Sequence, residues 1–188
     1  MSVTAGIDEA TIPAGTWAID KVHTKLGFAV KHMGVSTVRG EFRDYDGALV
    51  VGEDGGLRAH GAVRAASVDT NQEQRDEHLR SADFFDAEQY PEIRFESTAI
   101  ERVDEDSFRV EGELTIHGIT NPIELTAELG GVERGPEGEL RTGFEVTGQL
   151  SRKAYEMRFN AALGSGNAVV ADKVKLALDV ELIREEGD

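Results

Sequence analysis

Five histidines, His23, His32, His60, His78 and His117, carry most of the proton chemistry open to this 188-residue chain. One stands in RDEHLRSADFFD, residues 75–86, where Asp76, His78 and Ser81 have the composition of an acid–base–nucleophile set. Helical spacing argues against that use. Residues two apart on an α-helix point about 200° from each other, so Asp76 and His78 do not meet. Asp76 faces Arg80 at the i, i+4 spacing of an ion pair, and Ser81 suits a cap for the following turn.

Metal chemistry finds no local support. No two histidines stand three or four apart, and with no cysteine in the chain there are no thiolate ligands. Neither a metal nor a cofactor is expected. His32 differs from the other histidines, since in LGFAVKH it falls in register with Leu26, Phe28 and Val30 on an apolar face. At a cavity mouth it would orient a polar ligand group.

The elements that must position these residues are strands. Period-two alternation runs through most of the chain and places one residue in two on an apolar face. FRVEGELTIH aligns Phe108, Val110, Gly112, Leu114 and Ile116, and VKLALDVEL aligns Val174, Leu176, Leu178, Val180 and Leu182. LRAHGAVRA aligns Leu57, Ala59, Gly61, Val63 and Ala65. IELTAEL and FEVTGQL do the same with Ile123, Leu125, Ala127, Leu129 and with Phe144, Val146, Gly148, Leu150. Breaks at GEDGG, VDEDS, GITNP and GGVERGPEGE separate them. About eight such strands predict an all-β fold, an eight-stranded antiparallel barrel whose closure removes exposed edges.

Gly61, Gly112 and Gly148 fall on apolar faces. They mark either bends of a curved sheet or inward positions left small to keep volume inside the barrel. One segment is helical instead: Thr70 and Glu73 fit a capping box, predicting a short polar helical insert near residues 71–85 that starts near Asn71 and runs to about Arg80. Phe84 and Phe85 follow it as a plug for one barrel end. Residues 1–14 read as a flexible tail and 15–188 as a single domain.

The formal net charge is −16, which disfavours nucleic acid and anionic bilayers as partners. No glycine-rich phosphate loop or basic–aromatic patch appears, no apolar run is long enough to span a membrane, and the N-terminus lacks a secretory pattern. A cytoplasmic protein is expected, either monomeric or a homodimer.

Three blocks, GTWAIDKVHTKLGFAVKHMGVSTVRGEF, ASVDTNQEQRDEHLRSADFFDAEQYPEIRFES and GELTIHGITNPIEL, resemble in order and spacing those of the YceI-like family of polyisoprenoid-binding proteins. The resemblance covers about residues 15–183. It implies an extended lipocalin-like barrel holding a long isoprenoid chain, with no agreed catalytic activity. This sequence departs at LSRKAYEMRF, where Tyr155 and Glu156 occupy positions that are Phe and Gly in members; Glu156 is expected to narrow or polarise the wall. NAALGSGNAVVADKV fits the usual connection into the last strand.

The reading is thus a non-catalytic barrel that carries or stores an isoprenoid, with a neutral quinone-like head favoured over a diphosphate by the acidic surface. Expected chain contacts are Phe28, Val30, Phe42, Val63, Phe84, Phe85, Phe95, Val110, Leu114, Val146 and Leu176, with His32, Tyr155 and Arg80 near the head group. The alternatives are a barrel hydrolase or isomerase using His32, His78 or His117 with Asp76 or a neighbouring carboxylate, and a packed stress-related module with no cavity.

Overall fold

A computed structural model describes residues 11–161 and 169–187. The strands are β1 (Gly15–Ile19), β2 (Lys25–His32), β3 (Ser36–Phe42), β4 (Tyr45–Val51), β5 (Leu57–Arg64), β6 (Val68–Asp69), β7 (Glu92–Arg102), β8 (Ser107–Ile116), β9 (Ile119–Arg134), β10 (Leu140–Ser151) and β11 (Val170–Arg184). A helix, α1 (Glu73–Arg80), lies between β6 and β7. Pairing runs β1-β4-β5-β7-β8-β9-β10-β11 and returns to β1, so eight antiparallel strands close a barrel. The other three, β2, β3 and β6, extend the wall from the first part of β11.

β11 therefore serves two partners on one edge. Residues 182–184 pair with β1 and residues 170–179 pair with β2, while the chain turns away between them through Asp20–Thr24. A fork leaves backbone groups without ladder partners, and buried ones must find substitutes. At Glu181 the substitutes are local: its N–H donates to Thr24 Oγ1 at 3.0 Å, and its carbonyl accepts the Asp20 N–H at 2.8 Å. Tyr45 Oη adds a bond to the Thr24 carbonyl at 2.9 Å.

Side chains clamp the same point. Arg141, on β10, reaches Asp20 at 3.0 Å, Glu181 at 3.1 Å and Glu139 at 2.8 Å. His23 Nδ1 lies 2.7 Å from Asp20 and 3.0 Å from Glu181. Among the described residues, Asp20, His23 and Glu181 are the set that comes close enough to ligate a cation. The Arg141 guanidinium already occupies that side of the carboxylates, so the set is an ion-pair network.

Inward alternation follows the sequence pattern, and the core gathers at the barrel's two ends. At one, Ile12, Trp17, Leu49, Val51, Val132, Leu140 and Leu182 pack together. Trp17 is fully buried, with its indole N–H donating to the Pro13 carbonyl at 3.0 Å. Residues 11–14 thus belong to the barrel end rather than to a tail, because Ile12 joins this cluster. At the other end Ala65, Ile93, Ile116, Tyr155 and Met157 pack with Ala87 and Phe85 of the turn that follows α1.

Two local expectations change. GITNP is not a break: only His117 and Gly118 turn, both in left-handed backbone (φ 56° and 74°), joining Ile116 to Ile119 as a two-residue hairpin. Pro122 sits within β9 beyond Leu125, the last residue that β10 pairs, so its missing N–H leaves no ladder bond unmade on that side. The helix begins later than the capping box predicts. Gln72 is its N-cap, accepting the Arg75 N–H at 2.6 Å, while Thr70 is buried and bonded elsewhere.

The network at the fork gives a pH-dependent test. The Asp20 carboxyl is held down at about 2, chiefly by the His23 hydrogen bond, with the Val22 N–H and Arg141 adding to it against the opposing effect of burial. A depressed carboxyl stabilises the fold above its unfolded value, and the contribution is lost as pH falls toward the folded one. Asp20→Asn should cost about 2 kcal/mol at pH 7, the order of a charge-assisted hydrogen bond. The gap to wild type should shrink as pH falls from about 4 toward 2, as measured by urea unfolding across that range.

Candidate ligand-binding lumen

The barrel encloses a cavity of about 580 Å³. Its wall is built from the inward-facing residues of the long strands: Phe108, Val110 and Leu114 of β8, Ile123, Leu125 and Ala127 of β9, Phe144 and Val146 of β10, and Val174 to Leu182 of β11 in alternation. β2 adds Leu26, Phe28 and Val30, with His32 at its end. β11 alone has 15 residues, about 50 Å of strand at the usual rise, so the lumen is long as well as apolar.

Three glycines explain how large rings line the wall without filling the lumen. Gly40 lies directly opposite Phe28 and Gly148 opposite Leu125, and in each pair the partner's side chain occupies the space a Cβ would take. At Gly112 the Phe95 ring does the same. Each bulky group lies flat across its neighbour, and the lumen stays open beyond it. Of the inward glycines singled out from sequence, Gly112 and Gly148 are small so that a neighbouring side chain packs sideways, whereas a Cβ at Gly61 would meet only backbone.

α1 forms the cover. Arg75, His78 and Leu79, spaced three and four apart on one helix face, look into the cavity together with Phe84 and Phe85. Phe85 meets Phe42 edge-on at 5.6 Å, and Phe42 meets Phe28 at 5.6 Å, linking the cover to β2 and β3. His78 packs edge-on against Phe84 at 5.1 Å and against Phe159 at 4.7 Å. Exposed lining residues stand in two places: Lys31, Arg75 and Phe159 form a mouth between the β2–β3 hairpin and α1, and Asp46 and His60 lie on β4 and β5.

Of the residues singled out from sequence, Phe28, Val30, His32, Phe42, Val63, Phe84, Phe85, Phe95, Val110, Leu114, Val146 and Leu176 stand on this wall, and Arg80 and Tyr155 do not. Arg80 is one position past the inward face of α1, and its carbonyl accepts the Ala87 N–H at 2.9 Å as the chain turns back. Tyr155 ends a short 3-10 turn (Arg152–Tyr155) and is buried in the cluster at the barrel end, where desolvation raises its phenol. Arg152 of that turn reaches the lumen instead. It is 3% exposed and donates to the carbonyls of Met157, Phe159, Val170 and Ala171 at 2.7–3.1 Å. Those bonds hold open the irregular step in β11 between Val170 and Val174. Burial pushes the Arg152 guanidinium below its ordinary value, with Asp172 opposing.

The expected Asp76–Arg80 pair does not form. Asp76 is buried and accepts the Thr70 N–H at 2.8 Å and the Thr70 hydroxyl at 2.5 Å. Arg75 closes the network by donating from Nε to Thr70 Oγ1 at 2.7 Å and from its guanidinium to the Thr70 carbonyl at 2.9 Å. A two-residue strand, β6, is thereby pinned to α1. His78 finds its carboxylate in Asp83, 2.8 Å from Nε2, and not in Asp76. His117 lies in the β8–β9 turn, bonded through Nδ1 to the Tyr155 carbonyl at 3.0 Å. Of the enzyme alternative, His32 and His78 line the cavity, His117 lies in the β8–β9 turn, and Asp76 is engaged by Thr70 rather than by any of the three histidines.

Glu156 does not narrow the wall. It is exposed, pairs with Arg158 at 3.0 Å, and has left-handed backbone with φ 61°, which accounts for a glycine being suited to this position. Of the stretch leading into the last strand, residues 162–168 lie outside the described residues.

An elongated antiparallel barrel around an apolar lumen, capped by one short helix, is a lipocalin-like architecture. The chain belongs to the YceI-like domain family, whose sequence model matches residues 17–182. It is 35% identical over 193 residues to the UPF0312 protein plu2095 of Photorhabdus laumondii, covering 99% of this chain and 97% of that protein. The crystal structure of the Campylobacter jejuni YCEI protein superposes with a TM-score of 0.71 at 31% identity, over 89% of this chain and 96% of that one. A Saccharophagus degradans domain, described as a polyisoprenoid binding domain implicated in plant cell wall breakdown, shares the fold with a TM-score of 0.67 at 15% identity, over 90% and 98%.

Two substitutions test these assignments. Gly112→Ala should push the Phe95 ring off the wall, costing about 1–3 kcal/mol as overpacking does and reducing uptake of an apolar fluorescent dye. Glu156→Gly should stabilise by about 1 kcal/mol, through relief of left-handed backbone strain, and leave dye uptake unchanged. Thermal unfolding and dye titration read both.

Proposed function

We propose that this protein binds an isoprenoid chain within the barrel and carries or stores it, without catalysis. The observation that carries the reading is the lumen: a cavity of about 580 Å³ walled by the aliphatic and aromatic faces of the barrel strands and β2. Each Å² of prenyl surface moved into such a wall from water gains about 25 cal/mol, and length gives the chain many of them. The polyisoprenoid-binding description of the Saccharophagus domain, which shares the fold, supports the same class of ligand.

The head group is proposed to be neutral and quinone-like. A diphosphate calls for several converging cations with free donors. The two arginines on the wall are already engaged, Arg152 with four backbone carbonyls and Arg75 with Thr70, which leaves Lys31 alone among the lining cations with free donors. The His32 imidazole, at the mouth, makes no hydrogen bond among the described residues and is suited to a carbonyl or hydroxyl. The expected chain contacts are the eleven apolar residues read from the sequence, from Phe28 to Leu176, with His32 beside the head group.

Native mass spectrometry of the protein as isolated, followed by solvent extraction, tests this. The expected result is a bound apolar lipid without phosphorus. A recovered diphosphate would overturn the head-group assignment. Absence of any ligand, together with no uptake of an apolar dye, would overturn carriage itself.

A further inference from the structure

A chain with 36 acidic residues contains one long stretch with none. From Lys21 to Gly40 there are three lysines, one arginine and two histidines, and no aspartate or glutamate. The fold concentrates this further. β2 and β3 form a hairpin, and on its outer face Lys25, Lys31 and Arg39 are exposed. The adjoining part of β11 presents Lys173 and Lys175 outward, also exposed. Ala29 of β2 stands between Arg39 on one side and Lys175 on the other, so a single row crosses three strands. Four of the six lysines of the whole chain lie on this face.

These cations are not neutralised. Lys25, Lys31, Arg39, Lys173 and Lys175 have no carboxylate partner among the described residues. The nearby acids are committed or peripheral: Glu41 pairs with Arg43 at 2.8 Å, and Asp172 accepts from Ser151 Oγ and the Lys153 N–H. Asp179 stands opposite Lys25, at the edge of the face farthest from the hairpin tip.

Hydrophobic groups crown the same end. Val35, at the hairpin tip, is 82% exposed, and beside it Met33 is 40% exposed. The Met33 N–H bonds to the Val169 carbonyl at 2.8 Å, joining the tip to a residue of the cavity wall. Phe159 is 37% exposed and lines the cavity as well, so apolar surface runs from the outside into the lumen.

We propose that the outer face of β2, β3 and the start of β11, with its Met33–Val35 tip, docks on an anionic lipid surface and sets the lumen mouth against the bilayer. A basic face bordered by exposed apolar side chains matches a membrane interface, where cations meet headgroups and apolar groups enter the acyl boundary. Nucleic acid would match the charge but leave Met33, Val35 and Phe159 without a role. The formal net charge of −16 does not prevent docking, because charges beyond about 10 Å are largely screened at 0.1 M salt and the strands run several times that length. That docking delivers a ligand rests on the lipid-carrier reading; the basic face does not.

Flotation with vesicles of phosphatidylcholine alone, or with 30% (about one lipid in three) phosphatidylglycerol, tests the surface. Binding should require the anionic lipid and weaken steeply as salt rises. The combined Lys31→Gln, Arg39→Gln, Lys173→Gln and Lys175→Gln variant should lose binding about six hundredfold, at about fivefold per cation. Met33→Asn with Val35→Ser should lose it about tenfold. Circular dichroism and dye uptake without vesicles, read on the same variants, report the fold and the lumen separately. Equal binding by wild type and the charge variant, equal binding to neutral vesicles, or binding to DNA but to neither vesicle would each overturn the docking surface. Loss of dye uptake in wild type would instead overturn the carrier reading alone.

Discussion

The barrel depends on how one strand edge is divided. β11 gives the last part of its free edge to β1, which closes an eight-stranded barrel, and the first part to β2, which lengthens the wall. A ladder cannot change partners without stranding backbone donors and acceptors, and stranded groups in a wall are costly. Thr24, Asp20 and Tyr45 take up those groups, while Arg141 and His23 hold the departing turn to Glu181. Without the division the barrel would still close, but β2 and β3 would have no edge to join, and the wall that carries Phe28, Val30, His32 and Phe42 would be missing.

What the extended wall makes possible is a long apolar space that does not collapse. Protein interiors are normally close-packed, so an open lumen needs a reason. Here the strand rings and branched side chains lie sideways over glycines, each satisfied by contact with its own wall. The cover is held independently of the lumen, by the Arg75–Thr70–Asp76 network and by aromatic edges from Phe42 to Phe159. Polar bonding thus fixes the cap, and apolar packing shapes the space below it.

Charge is arranged with the same economy. Most of the surface is acidic, yet the few lysines collect on the hairpin and strand that border the mouth. Across the ladder Lys31, Arg39, Lys173 and Lys175 face threonine, alanine, serine and glutamine rather than carboxylates, and only Lys25 stands opposite an acid, Asp179. The surface that differs most from the rest of the molecule is therefore the one next to its opening.

The strands, their inward faces and the count of barrel strands were legible in the sequence because a strand's side-chain period is two, and one buried face forces it to show. The same periodicity placed Phe28, Val110 and Leu176 on the wall. Helical spacing correctly separated Asp76 from His78, and it contained the Arg75–His78–Leu79 face that became the cover. Tertiary structure alone decided the partners. Asp76 was free to pair with Arg80 four residues on, but the fold brings β6 against α1 and buries it beside Thr70, where a hydrogen-bonded carboxylate outcompetes an exposed ion pair worth at most about 1 kcal/mol. Arg152 replaced Tyr155 at the lumen, and lysines 142 or more residues apart in sequence came onto one face, for the same reason: pairing across strands has no counterpart in local spacing.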